Sequence, residues 1–208
     1  MKTLVTLFAI LALVFASVVP ITAQETPSPG AKIAPLPNPK PGSWWVLKAL
    51  DGGWSSRVEL KRVENGRFIT LINGREVEFT SEWNALDNFR DQRTIRDKYS
   101  PHSRSYSFPL WEGKKWGGIV AWTGQRALMS QGTFSVWVEV KGWEQIKVGA
   151  GTFDAIRLNI QSGPGHVNII CWYAPEVQRV AKCVLPTQAH FSWELKEFQL
   201  AGEAISRK

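Results

Sequence analysis

The sequence predicts a mainly β protein, an antiparallel meander closing into a barrel-like or sandwich domain with two related β units as its expected plan. Three observations carry this: short runs of period-two alternation, turn residues between them, and a weak internal repeat. Alternation is cleanest over 133–140. There Phe134, Val136, Val138 and Val140 share one face, and Thr133, Ser135, Trp137 and Glu139 share the other. Two residues per repeat is the signature of a strand with one buried face.

The other strands follow in order. Val58 and Leu60 alternate with Arg57, Glu59 and Lys61, and Val77 and Phe79 alternate with Glu76 and Glu78. Ile156, Leu158 and Ile160 line the next run, then Val167, Ile169, Cys171 and Tyr173, and finally Phe191, Trp193 and Leu195. Between them lie Asp51-Gly-Gly53, Glu64-Asn-Gly66, Asn73-Gly74, Gly149-Ala-Gly151 and Gly163-Pro-Gly165. These are hairpin signals, and their regular spacing argues for a meander. Residues 81–98 have sparse apolar positions and read as a loop with a short helical turn.

The repeat is the pattern G-x-x-W. Gly42-Ser-Trp-Trp45 precedes Val58-Glu-Leu-Lys61, and Gly113-Lys-Lys-Trp116 precedes Val138-Glu-Val-Lys141. The second copy carries the longer spacing. Two β units closing over one core is one reading, and chance similarity between strand-rich halves is the other. The sequence contains 11 tryptophans. Each buries about 150–250 Å² when enclosed, so core filling is the default role.

The ends set the compartment. Lys2 followed by the uncharged run 4–19 and the small residue Ala23 reads as a signal peptide over 1–23. No cysteine stands near that site, so the expectation is a periplasmic or secreted protein without a lipid anchor. Residues 24–42 carry Pro27, Pro29, Pro35, Pro37, Pro39 and Pro41 and read as an extended linker. A single β domain is expected over 43–202, with a tail at 203–208. The 25 basic residues exceed the 18 acidic ones. In an exported chain that excess suits anionic envelope surfaces, and no nucleic-acid partner is expected. After signal cleavage no segment is long and apolar enough to make the chain an integral membrane protein by helices.

Cys171 and Cys183 flank a hairpin centred near Val177, which would set them opposite each other and pair Tyr173 with Ala181. In an oxidising compartment this favours a disulfide, the alternative being two buried thiols. Their spacing is not that of a redox or zinc motif. His102, His166 and His190 match no metal-binding spacing, and there is no nucleophile elbow or phosphate loop. The expectation is a non-enzyme with no cofactor and no metal. Parity does set Trp137 and Trp172 on polar faces, with His166, Asn168 and Asn159 beside them. An aromatic ring among amides is a platform on which a sugar can stack, and a loop covering the ring is the plainer reading. The expected partners are therefore a glycan, a lipid or another envelope protein.

Three stretches carry a resemblance to a known family. They are Tyr106-Ser-Phe-Pro-Leu-Trp-Glu-Gly-Lys-Lys-Trp116, Val148-Gly-Ala-Gly-Thr-Phe-Asp-Ala-Ile156 and Trp172-Tyr-Ala-Pro-Glu-Val-Gln-Arg-Val180. In this order they resemble elements of TapB-like bacterial envelope proteins, related to domain of unknown function 3108. The resemblance implies export and a mostly antiparallel β domain. It implies no activity and no catalytic residues. Many members of the group are lipoproteins, whereas this sequence lacks the anchoring cysteine, and the Cys171/Cys183 pair is not part of the group's pattern.

Overall fold

The computed structural model describes residues 26–90, 95–124, 131–163 and 167–202; the expected signal peptide and tail lie outside them. Twelve strands follow one another: β1 (Trp44–Ala49), β2 (Ser55–Glu64), β3 (Arg67–Ile72), β4 (Arg75–Thr80), β5 (Asp87–Arg90) and β6 (Ile95–Ser100), then β7 (Lys115–Thr123), β8 (Gln131–Val148), β9 (Gly151–Ser162), β10 (Val167–Ala174), β11 (Arg179–Val184) and β12 (Trp193–Gln199). They form one sheet in the order β4-β3-β2-β1-β12-β11-β10-β9-β8-β7-β6-β5. Each pairing is antiparallel and joins chain neighbours, with β1 also pairing β12. This is the expected meander. No described helix is long and apolar enough to cross a membrane.

The sheet curls until β4 and β5 meet, but no ladder closes it. The two edges share one bridge, Phe79↔Ala85, with Leu86 N–H donating to Glu78 O and Thr80 N–H to Asn84 O. Trp83 turns at φ 63°, and the Asp87 carboxylate, not a backbone carbonyl, accepts the Glu78 N–H at 3.0 Å. A side chain thus takes the bond a closing ladder would have used. Residues 81–98, expected as a loop with a short helical turn, instead contribute β5 and β6.

The repeat is real in its hydrogen bonds. Gly42 N–H donates to Leu60 O, and Leu60 N–H to Ser43 O; Gly113 N–H donates to Val140 O, and Val140 N–H to Lys114 O. Trp45 pairs with Val58 as Trp116 pairs with Val138. Gly42 and Gly113 sit at φ 92° and 86°, where a side chain is strained. Immediately after the matched residue each unit bulges, at Lys61 and at Lys141. A bulge adds one residue to one strand, bends it and increases its twist.

Burial divides into two clusters along the same plan. One gathers Trp45, Val58, Leu60, Phe68 and Leu195, the other Val138, Val140, Leu158, Cys171 and Tyr173. The long β8 serves both. Val136, Val138 and Val140 belong to the second cluster, and beyond the bulge Ile146 and Val148 belong to the first. Both Asn-Gly hairpins, Asn65-Gly66 and Asn73-Gly74, hold positive φ at both residues, as the two-residue turn requires.

Two sequence expectations need correction in register, and a third segment sits differently. Cys171 and Cys183 do pair directly and are bonded, with S–S 2.00 Å. A bulge after Trp172, however, sets Tyr173 opposite Val180, not Ala181. Phe191 lies in a short 3-10 turn (Ala189–Phe191) and is exposed, so the last strand begins at Trp193. The proline-rich segment is extended but docked. Ala34 is 0% exposed and exchanges two hydrogen bonds with Leu110, and Asn38 N–H donates to the Gln178 side chain. Lys32 lies 4.1 Å over the Trp143 ring and pairs with Asp154.

The disulfide closes a loop with sequence separation 12. Chain-entropy reasoning assigns such a loop roughly 3 kcal/mol. The double variant Cys171→Ala/Cys183→Ala is expected to lose about that much in denaturant unfolding, with the native far-ultraviolet circular dichroism retained. An unchanged midpoint would show that the native hairpin register already holds without the cross-link.

Candidate functional site

The strand parity that buries Val138, Ile160 and Ile169 turns their neighbours to the opposite face of the sheet. There Trp137 faces Gln161, Gln161 faces Asn168, and Glu139 faces Asn159 across the ladders. Trp137, Glu139, Asn159, Gln161 and Asn168 line one groove of about 580 Å³, with Lys115 and Pro186 at its margin. That volume falls within the usual range for small-ligand sites. Trp137 is 37% exposed. Its ring lies over Gly117, where an added Cβ would sit 2.4 Å from Trp137 Cε3. The missing side chain at position 117 is what lets the indole lie close against β7.

Charges frame the groove. Glu139 accepts from Lys141 at 2.6 Å and stands 3.3 Å from Lys115. Its carboxyl is held below the usual range, first by the Lys141 hydrogen bond and then by Lys115. The Asn159 side-chain oxygen accepts from Arg157 Nε at 3.2 Å, which fixes the orientation of the amide.

Of the residues singled out from sequence, the structure brings Trp137, Asn159 and Asn168 together. Trp172 shares their face of the sheet but not their groove. Its indole N–H donates to Glu144, Arg157 and Lys182 stand within 5.9 and 5.7 Å of the ring, and the ring packs against the first cluster. His166 lies outside the described residues. Gln161, Glu139, Lys115 and Pro186 were not selected from sequence. The first two could have been found from the same parity that exposed Trp137, but Pro186 comes from a loop that parity does not place.

A second concavity lies near the β4–β5 seam, about 100 Å³ in volume. Phe79, Trp83, Tyr106, Phe108, Tyr173 and Arg179 line it, with Glu82 alongside. The turn Pro175–Val177 positions it: the Trp45 indole donates to Val177 O at 2.8 Å and the Trp83 indole to Gln178 O at 2.9 Å. Arg179 follows directly, its guanidinium 4.3 Å from the Trp83 ring and 5.5 Å from Trp45. Burial lowers its pKa to about 10, opposed by Tyr106. Burial also pushes the Tyr106 phenol up to about 12, with Arg179 opposing, and raises Tyr173 further. Among the described residues, no group of three or more His, Cys, Asp or Glu is arranged to hold a metal ion.

No protein-family model matches the chain, and no curated protein matches it significantly. Solved structures show a distant likeness. One is the hypothetical lipoprotein YmcC from Escherichia coli, with TM-score 0.45 and 13% identity over 78% of this chain and 89% of that one. Another is a candidate exported protein with a YmcC-like fold from Bacteroides fragilis, with TM-score 0.45 and 12% identity over 81% and 99%. A third is a candidate lipoprotein from Parabacteroides distasonis, with TM-score 0.40 and 14% identity over 79% and 97%.

The buried phenols give a pH signature. An unfolded tyrosine ionises near pH 10, whereas folded Tyr106 does so at about 12. Between those values the unfolded chain releases protons that the folded chain keeps, so stability falls as pH rises. Thermal unfolding measured from about pH 8 to 11.5 should show the melting temperature dropping above about 10. The drop should be shallower in Tyr106→Phe, and an identical profile in that variant would show that Tyr106 does not carry the effect.

Proposed function

We propose that the chain is an exported cell-envelope β domain that acts by binding and not by catalysis, with a glycan as the ligand of the Trp137 groove. One observation carries the reading: a half-exposed indole packs over Gly117, with three amide side chains and an ion pair around it in a single groove. A sugar presents an apolar ring face and a rim of hydroxyls. The indole offers the apolar partner, while Asn159, Gln161 and Asn168 offer donors and acceptors for the hydroxyls.

Export is supported by the signal-like start, by the basic excess and by the buried disulfide, which forms in oxidising compartments. The three motif stretches support kinship with the TapB-like envelope group. A lipid-carrier role is less well supported. The seam cavity, at about 100 Å³, is smaller than the roughly 150 Å³ that encloses one benzene, so an acyl chain does not fit in it.

The test is Trp137→Ala on a glycan array, followed by titration of any hit. Stability should change by less than about 1 kcal/mol because the side chain is half exposed, while glycan affinity falls at least about tenfold. A wild-type chain that binds no glycan on the array, or a variant that binds equally well, overturns the reading.

A further inference from the structure

The seam cavity holds a cation without a counter-ion. Arg179 Nη1 is out of contact with solvent, and among the described residues nothing accepts a hydrogen bond from it. No described carboxylate lies within ion-pair distance of the guanidinium. What surrounds it is aromatic: Trp83 at 4.3 Å, Trp45 at 5.5 Å and Phe79 at 5.9 Å. Ring faces attract a cation but satisfy none of its five N–H donors. The Arg179 side chain as a whole is half-buried, but its Nη1 is enclosed, and an enclosed guanidinium N–H without an acceptor loses the hydrogen bonds that water would give it.

Glu82, the acid that lines the cavity, does not meet this need. Glu82 accepts from the Phe108 backbone N–H at 2.7 Å and from the Asn84 side chain at 3.4 Å. It is also the acidic neighbour of Lys114. Glu82 is thereby engaged with the 106–114 segment.

We infer that the cavity is a binding site for a small monocarboxylate, with Arg179 receiving the carboxylate and the rings of Trp83, Phe108 and Tyr173 enclosing a short apolar body. A guanidinium fork and a carboxylate match in geometry, and their hydrogen bonds are charge-assisted. The volume of about 100 Å³ restricts the body to a few carbons. An inorganic anion would satisfy the charge but leave the aromatic walls without contact. This site is separate from the Trp137 groove, and either can fail without the other.

The test uses the full exported chain with propionate and butyrate as probes. Propionamide and butyramide serve as uncharged isosteres, and chloride as the inorganic control. Binding is read by tryptophan fluorescence, because Trp83 touches the guanidinium, and by thermal shift. Saturable binding of the acids is expected below about 10 mM, at least about tenfold weaker for the amides, and lost in Arg179→Met. Should Arg179→Met fail to fold, the acid-to-amide ratio on the wild-type chain decides alone. No saturation by either acid, equal binding of acid and amide, or an equal response to chloride overturns the proposal. Retained acid binding in a folded Arg179→Met does so too.

Discussion

A twelve-stranded sheet with one apolar face must curl, and the curl depends here on two matched bulges. Lys61 and Lys141 are each the extra residue opposite an otherwise regular ladder, and each follows a residue locked to a glycine turn by two backbone hydrogen bonds. The glycine enters at positive φ, the chain turns, and the following strand is held in register at Leu60 or Val140. Without the bulge the even-numbered residues of β8 would all point to one face of the sheet, whereas the bulge moves those beyond Lys141 to the other. With it, β8 buries valines in one cluster and Ile146 and Val148 in the other.

The two units are not equal in how they finish. In the first, Ser43 is fully buried and its hydroxyl accepts the Ala201 N–H at 3.0 Å, tying the end of the chain to its beginning. In the second, Lys114 takes the same place. Its ammonium donates to the carbonyls of Ser107 and Pro109, and burial holds its pKa below the usual lysine value. A buried hydroxyl and a partly buried ammonium solve the same problem, that of satisfying backbone groups beside a glycine turn. The larger donor in the second unit organises the 106–114 segment, which in turn forms one wall of the seam cavity.

How much of this could be read from the sequence follows from what each feature depends on. Parity is local, so the faces of β2, β8, β9 and β10 were legible, and with them the place of Trp137 on a polar face beside Asn159 and Asn168; whether a loop covered the ring was not, because parity carries no signal for what lies above a sheet. The cysteine pair was legible because a hairpin sets its own register, although the bulge after Trp172 was not. The seam was hidden, since it depends on Asp87 reaching across to Glu78 from a segment with few apolar residues. The docking of the proline-rich arm was hidden for another reason. Prolines describe an extended chain well but carry no signal for what it lies against, and the partner of Ala34, Leu110, is remote in sequence.

Arg179 shows the same limit at one residue. Its place in β11 gives it the parity of Ala174, its partner across the ladder, and a surface cation would be the ordinary expectation on an exposed strand. It is half-buried because Trp45 and Trp83 each donate an indole hydrogen bond to the turn just before it, drawing that turn against the first cluster. Those two bonds hold Val177 and Gln178, and the Arg179 guanidinium comes to lie over the Trp83 ring. A half-buried cation among rings, beside a cavity and with its Nη1 enclosed and unmet, is an arrangement that an entering acceptor would complete.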